Sequence, residues 1–308
     1  MLAKEYPSVI METKLPLPLF IRGKVRDTYD LGNHLLLVAT DRISAFDVVL
    51  PNGILWKGFV LNQLSLFWFR RTADIIPSHL LEPVDELKDL DSYLTEGQRF
   101  NYPDYLVGRS MIVTKVKRIP VECVVRGYLA GSAWAEYQEA GTVNGRRMPK
   151  GMQESEKLSE TIFTPTTKAD TGHDQPINDK ELTKLAGKEF ARIMEEKTRR
   201  VYDYAAGYAL TKDIIIADTK LEFGVDEDER LILIDELLTP DSSRFWDTEL
   251  YQVGKSQPSL DKQPVRDWLV EAGWNKEPPA PELPPEVAEV TTQRYIAAYE
   301  RLTGRSIG

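Results

Sequence analysis

The sequence has few of the residues that build disulfides and zinc sites. It contains one cysteine, Cys123, and three histidines in 308 residues. One cysteine cannot form an internal disulfide and is typical of a reducing compartment. Three dispersed histidines and one cysteine do not make a standard zinc ligand set. Because valines flank Cys123, a buried strand thiol is favoured over a catalytic nucleophile.

Long apolar runs and an excess of positive charge are also lacking. No window approaches the roughly 18 apolar residues of a membrane span. The first 20 residues carry charges and prolines that do not fit a signal peptide. The net charge of −9 argues against a nucleic-acid binder, although it leaves room for a local basic pocket. We therefore predict a cytoplasmic protein with no membrane or nucleic-acid partner, and no protein partner is indicated.

Several catalytic motifs are missing as well. The chain has no GxxxxGK[ST] loop, no GxSxG and no Cys/His pairing that would indicate a covalent nucleophile. It also lacks the HRD and DFG signatures of protein kinases. Its length allows one large domain or two. The remaining chemistry has to come from carboxylates and cations.

The most informative stretch, residues 214–246, predicts an antiparallel hairpin. Two apolar runs, 214–217 and 231–234, flank an acidic turn that contains a glycine. Side chains alternate along a strand, so Asp218, Lys220 and Glu222 are expected to share one face. Pairing across the turn would bring Glu222 close to Asp235, the residue that ends the second run. Two close carboxylates repel unless a cation lies between them, and such oxygen ligands suit Mg²⁺ that also holds nucleotide phosphates.

The bland alternative is that these acids only solvate an exposed sheet face. We keep that interpretation for the four turn acids, residues 226–229. For Asp218, Glu222 and Asp235, which lie beside or within apolar strands, we favour a function.

A second group of charged residues lies near the N-terminus. Residues 21–47 predict strand, turn, strand, with Arg22, Lys24 and Arg26 alternating on one strand face. Gly23 would allow a close approach of the backbone, and such a face suits an anion. A solvated edge strand explains the three cations equally well. Residues 40–47 predict a polar loop that either carries function or is ordinary turn chemistry.

The rest of the chain predicts helices, two further strands and one long loop. Strands are expected at 110–116 and 120–125, with Glu122 as a charge that needs a partner. Residues 144–174 are poor in apolar residues and predict a long surface loop. Periodicity and capping signals predict helices at 57–73, 132–140 (with Ser132 as the N-cap), 179–210 (opened by a capping box of Asn178 and Glu181), 264–272 and 285–302.

Carboxylates on a hairpin and cations elsewhere fit Mg²⁺–nucleotide chemistry on an anionic substrate. Catalysis of phosphoryl transfer is mainly positioning and charge neutralisation, so it needs no special nucleophile. An ATP-dependent ligase, a small-molecule kinase and a non-catalytic nucleotide-binding module all remain open at this point.

Eight segments resemble, in the same order, segments of the SAICAR synthetase family. They span residues 20–270, and the C-terminal extension resembles the longer, fungal-like form. One departure is SS at 242–243, where a Gly-Ser pair is common in the bacterial form. The segments are RGKVRD (22–27), ATDRISAFD (39–47), IPVECVVR (119–126), GSAWAEY (131–137), FTPTTKAD (163–170), IADTKLEFG (216–224), LTPDSSRFWD (238–247) and SLDKQPVRDW (259–268).

The resemblance implies an α+β fold with two lobes, antiparallel sheets and packed helices, related to protein kinases and ATP-grasp enzymes. Residues 1–120 would form a β-rich ATP-binding lobe, and residues 121–308 would carry the substrate site and a C-terminal helical extension. The implied reaction joins L-aspartate to the carboxylate of carboxyaminoimidazole ribotide (CAIR). It uses ATP and Mg²⁺, gives SAICAR, ADP and phosphate, and would proceed through an acyl phosphate.

The resemblance also implies roles for individual residues. Asp218 and Lys220 would be catalytic, and Glu222 and Asp235 would bind Mg²⁺. The ATP contacts would be Gly23, Lys24, Arg26, Pro120, Val121 and Glu122. The ribotide and its phosphate would contact Arg126, Ser132, Ser243, Arg244, Lys262 and Arg266. The aspartate substrate would be held by Asp41, Ser44, Thr166, Thr167 and Lys168.

Overall fold

The computed structural model describes residues 8–168 and 174–307. A first sheet of five antiparallel strands is built from the N-terminal part of the chain. One long helix, α1 (Lys57–Thr72), covers it, and Leu61, Leu64 and Trp68 on this helix are fully buried as predicted. The strands lie in the order β1 (Leu19–Arg22), β2 (Arg26–Asp30), β3 (His34–Ala39), β7 (Ser110–Thr114) and β6 (Leu80–Pro83), while β4 (Arg42–Ala45) and β5 (Val48–Gly53) pair separately.

A second antiparallel sheet carries the charged residues of interest. Its two central strands are β8 (Lys117–Tyr128) and β13 (Ile214–Val225), which pair with each other along most of their length. The hairpin predicted at 214–246 is confirmed, because β13 pairs with the following strand across the acidic turn. The outer strands are β11 (Lys157–Phe163) and β12 (Thr166–Thr167) beside β8, and β14 (Leu231–Ile234) and β15 (Ser243–Asp247) beside β13. A short hairpin pairs β9 (Thr142–Val143) with β10 (Arg146–Arg147).

Within the described residues, five further α-helices pack around the sheets. The largest apolar core contains side chains from both sheets and from the first and last helices, including Leu64, Val121, Leu221 and Tyr295. The last helix packs against α1 and against the helix before it. These helices are α2 (Ser132–Ala140), α3 (Asp179–Ala186), α4 (Lys188–Leu210), α5 (Gln263–Glu271) and α6 (Pro285–Thr303).

Two of the predicted helix signals have a different outcome from the expected one. The capping box of Asn178 and Glu181 is confirmed, but the helix expected over 179–210 is divided at Gly187. Gly187 has a φ of +81°, a backbone conformation that costs glycine little and ends α3 there. Ser132 is not an N-cap. Gly131 holds that position with a φ of +58°, and the Ser132 hydroxyl instead accepts a hydrogen bond from Arg126.

Three expectations about strands and loops are also wrong. Arg22 and Arg26 do not share a strand, because the chain turns between them and the Gly23 N–H donates to the Arg26 carbonyl at 2.8 Å. The polar stretch 40–47 contains strand β4, whose residues are buried. Residues 144–174 include β11 and β12, which gain backbone partners from β8. Residues 169–173 of that stretch lie outside the described residues.

Two simpler expectations can be checked directly. Cys123 is buried in β8, as predicted. In the part of the chain that the structure describes, no helix is long and apolar enough to cross a membrane. The lobe boundary near residue 120 stays a prediction.

Candidate active site

One face of the β8–β13 pair carries a row of charged side chains. On β8, Glu122 and Arg126 alternate with Val121, Cys123 and Val125, which enter the core. The register places Asp218 opposite Arg126 and Glu222 opposite Glu122. Strand alternation therefore separates an apolar face from a charged face, and the charged face is the candidate site. Two clusters of charges lie along it.

The first cluster is centred on the Asp218 carboxylate. Its Oδ2 lies 3.2 Å from Arg126 Nη1 and also accepts a hydrogen bond from Arg244 on β15. Arg126 donates further hydrogen bonds, each of 3.0 Å, to the hydroxyls of Thr164 and Ser132. One carboxylate is shared by two guanidinium groups, so the cluster keeps a positive charge. Planar guanidinium groups held in this way are suited to carboxylate and phosphate ligands.

Electrostatics in this cluster follow from burial and from the shared carboxylate. The Asp218 carboxylate raises the pKa of Arg244 above its ordinary value, and burial opposes that effect. Burial lowers the pKa of Arg126, and Asp218 partly compensates. Both groups stay protonated near neutral pH because arginine titrates far above it.

Gly131 gives Arg244 its place beside the cluster. A Cβ atom on Gly131 would lie 2.3 Å from Arg244 Nη2, closer than any real contact. The positive φ of Gly131 is also unfavourable for other residues. The chain therefore needs glycine here for both the turn and the guanidinium. The sequence segment GSAWAEY carried this signal, but Gly131 was not among the predicted site residues.

The second cluster alternates carboxylates with ammonium groups. Glu122 Oε1 lies 2.6 Å from Lys168 Nζ and 2.9 Å from Lys220 Nζ. The same Lys168 Nζ lies 2.9 Å from Glu222 Oε1. Glu122 was expected to have a charged partner, and the structure gives it two, Lys168 and Lys220. Burial would raise the pKa of Glu122, but the two lysines lower it below its ordinary value.

Asp235 lies at the end of this row, directly after β14. Its carboxylate accepts a hydrogen bond of 2.8 Å from Arg26, whose other nitrogen binds Glu236. Thr239 donates a hydrogen bond of 2.9 Å to Glu236 as well. Asp235 has a φ of +64°, in the left-handed region, so its carboxylate is presented by a strained backbone. Glu236 was not predicted as a site residue, although it directly follows Asp235 at the acidic end of the strand.

The donor set around Glu222 and Asp235 fits a magnesium ion. Burial raises the pKa of Glu222, and the charge of Asp235 raises it further, while Lys168 partly opposes both effects. The described residues contain no group of three or more His, Cys, Asp and Glu that could hold a metal. Two carboxylates are enough for Mg²⁺ when nucleotide phosphates and water complete its shell.

A third cluster, of Asp241 with cations, lies at the end of the site. The Asp241 carboxylate lies 2.6 Å from Lys57 Nζ, 3.9 Å from Lys262 Nζ and 2.5 Å from the hydroxyl of Tyr295. Arg266 lies in the first turn of α5, which directly follows Lys262 at the N-cap, and is 3.7 Å from Asp261. Asp241 and Tyr295 were not predicted; the segment LTPDSSRFWD contained the aspartate, but a lone buried tyrosine carries no sequence signal.

The structure places several predicted ATP residues at the edge of this arrangement. Lys24 lies in the turn between β1 and β2 and forms an exposed ion pair with Asp47. Pro120 is exposed, and its carbonyl accepts a hydrogen bond of 3.0 Å from the backbone N–H of Lys168. The side chain of Val121 points into the core, and its backbone is paired with Thr167 on β12.

Asp41, Ser44 and Ser243 are not joined to either cluster by the contacts described. Asp41 is fully buried, where it accepts hydrogen bonds from the N–H groups of Gly58 and Ile10 and pairs with Arg109 at 3.1 Å. Ser44 lies on β4, paired with β5. Ser243 shares a hydrogen bond of 2.8 Å with Thr219, whose side chain points away from the charged face. Thr166 and Thr167 lie on β12, opposite Glu122 and Val121.

Comparison with known proteins identifies the class of this site. Residues 19–281 match the model of the SAICAR synthetase family. The chain is 50% identical over 297 residues to the phosphoribosylaminoimidazole-succinocarboxamide synthase of Maridesulfovibrio salexigens, covering 96% of this chain and 97% of that protein. A SAICAR synthase structure from Saccharomyces cerevisiae, complexed with SAICAR, is 44% identical with a TM-score of 0.88, covering 97% of this chain and 99% of that one. A SAICAR synthetase in complex with ADP is 25% identical with a TM-score of 0.68, covering 94% and 99%.

The chain therefore belongs to the SAICAR synthetase family. It is an ATP-dependent ligase of purine biosynthesis that joins L-aspartate to CAIR. The predicted α+β fold is confirmed by the agreement with the yeast structure. The longer form is not confined to fungi, because the bacterial relative has nearly the same length and aligns almost from end to end.

Proposed function

We propose that the two charge clusters on the β8–β13 face divide the reaction between them. The Asp218 cluster would bind the ribotide, and Glu222 with Asp235 would hold Mg²⁺ and the phosphates of ATP. The observation that carries this proposal is that both clusters lie on one face of β13, four residues apart. At about 3.3 Å per residue, that spacing is roughly 13 Å, enough to place a nucleotide phosphate beside a ribotide carboxylate.

The chemistry needs an activated carboxylate, because an amine does not attack a carboxylate directly. In the proposed first step, a carboxylate oxygen of CAIR attacks the γ-phosphorus of ATP and ADP leaves. In the second, the aspartate amine attacks the acyl carbon and loses a proton, and phosphate leaves with the carboxylate oxygen. When bound, Mg²⁺ would neutralise charge on the transferring phosphates.

Lys220 has the central position in this scheme. It follows Asp218 by two residues and precedes Glu222 by two, so its side chain lies on the same face as both carboxylates and comes from the strand position between them. Its ammonium group is held by Glu122 at 2.9 Å. A cation there would stabilise the negative charge that builds up between the carboxylate and the γ-phosphate.

Lys168 is better placed for the phosphates than for the aspartate substrate. Its ammonium group lies within 3 Å of both Glu122 and Glu222, beside the proposed metal ligands. Arg26, bound to Asp235, and Lys24 would complete the cations around the phosphates, with Gly23 in the turn between them. The adenine contacts at Pro120, Val121 and Glu122 are proposed from the resemblance.

For the aspartate substrate, Thr166 has the best structural support. Its hydroxyl is buried and makes no hydrogen bond in the described residues, so it is available to a ligand. Thr167, Asp41 and Ser44 stay proposals from the resemblance, and the buried pair of Asp41 with Arg109 also gives Asp41 a structural role. We also propose that the protein acts in the cytoplasm, because a single cysteine is typical of a reducing compartment. The net negative charge supports the absence of nucleic-acid partners, and we propose no membrane partner.

An isotope experiment tests the acyl phosphate. CAIR labelled with ¹⁸O in its carboxylate should transfer one label to the released phosphate in each turnover. Phosphate without label would contradict the intermediate. ADP release should also require both CAIR and aspartate; aspartate-independent turnover of the ribotide would favour a kinase, and the absence of any turnover would favour a binding module.

A further inference from the structure

Asp241 is held by the first and last helices of the fold. It lies in the connection between β14 and β15, which also carries Asp235. Its Oδ2 accepts a hydrogen bond of 2.6 Å from Lys57 at the start of α1, and its Oδ1 accepts one of 2.5 Å from Tyr295 on α6. Lys57 and Tyr295 are both fully buried, and the ammonium group lies 5.5 Å from the centre of the phenol ring. These two ties fix the orientation of the carboxylate.

Lys262, which the family resemblance assigns to the ribotide, lies outside hydrogen-bond distance of Asp241. Its Nζ lies 3.9 Å from Asp241 Oδ1, the oxygen that also accepts the hydrogen bond from Tyr295. Over residues 8–168 and 174–307, the Lys262 ammonium group donates no hydrogen bond. The Arg266 guanidinium group lies 3.7 Å from Asp261 and donates no hydrogen bond within the same residues either. Both groups therefore retain donors for an anionic ligand.

We propose that Tyr295 is a positioning residue for the ribotide phosphate, because its hydroxyl and Lys57 hold the Asp241 carboxylate away from Lys262. The proposal rests on the proposed function, in which we keep Lys262 as the contact of the ribotide phosphate that the family resemblance implies. Without the hydroxyl, the Asp241 carboxylate would lose one of the two ties that orient it and could turn to close the 3.9 Å gap to Lys262. The closed ion pair would compete with the phosphate for the same ammonium group.

Other contacts of α6 point in the same direction. Arg294, the neighbour of Tyr295, donates a hydrogen bond to the carbonyl of Ser259, three residues before Lys262. Helix α6 thus contacts both the connection between β14 and β15, at Asp241, and the segment before α5, at Ser259. Tyr295 lies beyond residues 19–281, which the family model matches. The last helix would therefore adjust affinity for the ribotide from outside the matched region.

The test is Tyr295→Phe, which removes the hydroxyl and keeps the ring that packs beside Lys57. We expect KM for CAIR to rise about tenfold, the equivalent of one hydrogen bond to a charged group, while KM for ATP stays unchanged. Tyr208→Phe is the matched control. The Tyr208 hydroxyl also binds α6, at the Leu302 carbonyl, but has no contact with Asp241. The control should lower the melting temperature and leave both KM values unchanged.

Lys262→Met separates this inference from the proposed function on which it rests. If it raises KM for CAIR and Tyr295→Phe does not, the inference is overturned and the role of Lys262 stands. If Lys262→Met leaves KM for CAIR unchanged, the proposed role of Lys262 fails, and the inference fails with it. In the double variant, Tyr295→Phe should add nothing to the effect of Lys262→Met, because the hydroxyl acts through that ammonium group. Additive effects would overturn the inference.

Discussion

Arg126 on β8 and Asp218 on β13 are direct cross-strand neighbours, and their side chains form an ion pair of 3.2 Å inside the site. The same guanidinium group also donates to Thr164 and Ser132. Three acceptors in different directions fix the plane of the group. A carboxylate and two hydroxyls therefore orient Arg126.

This arrangement predicts the effect of Arg126→Lys. Lysine keeps the charge but cannot reach three acceptors with a planar fork, so orientation is lost. We expect KM for CAIR to rise at least about tenfold with KM for ATP unchanged, measured by steady-state kinetics. Arg192→Lys, at an exposed ion pair on α4, is the control and should have no kinetic effect. A wild-type KM for CAIR in Arg126→Lys would contradict the proposed contact between this guanidinium group and the ribotide.

Gly131→Ala tests the close contact between backbone and guanidinium. The new methyl group would meet Arg244 at 2.3 Å and displace it. The backbone at φ +58° and ψ −131° is one that residues with a Cβ hardly adopt, and it adds strain of about 1–3 kcal/mol. We expect a higher KM for CAIR together with a loss of thermal stability. Gly141→Ala is a control for a positive φ, because Gly141 has a φ of +68° in the left-handed helical region and open space around its Cβ position. It should lose less stability than Gly131→Ala and keep its KM; equal KM values in the two variants would argue against a role for Arg244.

The metal assignment predicts that Glu222→Gln and Asp235→Asn each abolish Mg²⁺-dependent turnover. Each change removes one negative charge from a site that needs two, while size and hydrogen bonding are largely kept. ADP release should be measured over a range of Mg²⁺ concentrations, with circular dichroism as a check on the fold. Asp228→Asn, on the exposed turn of the same hairpin, should behave as the wild type. Near wild-type rates in Glu222→Gln or in Asp235→Asn would contradict the assignment of these residues as Mg²⁺ ligands.

The sequence was most informative where a short-range rule decides the structure. Strand alternation correctly placed Asp218, Lys220 and Glu222 on one face, and the acidic turn correctly closed the hairpin. The capping box at Asn178 was correct for the same reason, since all its hydrogen bonds lie within four residues. In these cases the pattern and the structure depend on the same local physics.

Long-range pairing explains the failures. Residues 157–167 have too few apolar side chains to predict a strand, and they form strands because β8 offers them backbone partners. The third cluster joins Lys57, Asp241 and Tyr295, which are far apart in the sequence, through one carboxylate. No periodicity marks such a contact. Ser132 has suitable chemistry for an N-cap, but its hydroxyl binds Arg126 from another strand.

A buried ion pair in the first sheet predicts how stability depends on pH. Asp27 on β2 is fully buried, and its carboxylate accepts hydrogen bonds from Arg42 at 2.7 Å and from the Thr13 N–H and hydroxyl at 2.9 and 2.8 Å. Burial would raise the pKa of this carboxyl, but the hydrogen bonds from Arg42 and Thr13 lower it below its ordinary 3.8. Asp27 thus fastens the N-terminal segment to the first sheet.

Asp27→Asn should lower the free energy of unfolding by about 3 kcal/mol at pH 7, because Arg42 is left buried without its charge partner. Since the folded pKa of Asp27 is lowered, its contribution is fully present above the unfolded value of 3.8 and is lost as pH falls through the folded value. In urea titrations, the difference between wild type and variant should therefore stay constant from pH 7 to about 5, and shrink below that unfolded pKa. Asp85→Asn, at an exposed position, provides the control. A difference that does not depend on pH down to pH 2 would show that the carboxylate charge contributes nothing to this attachment.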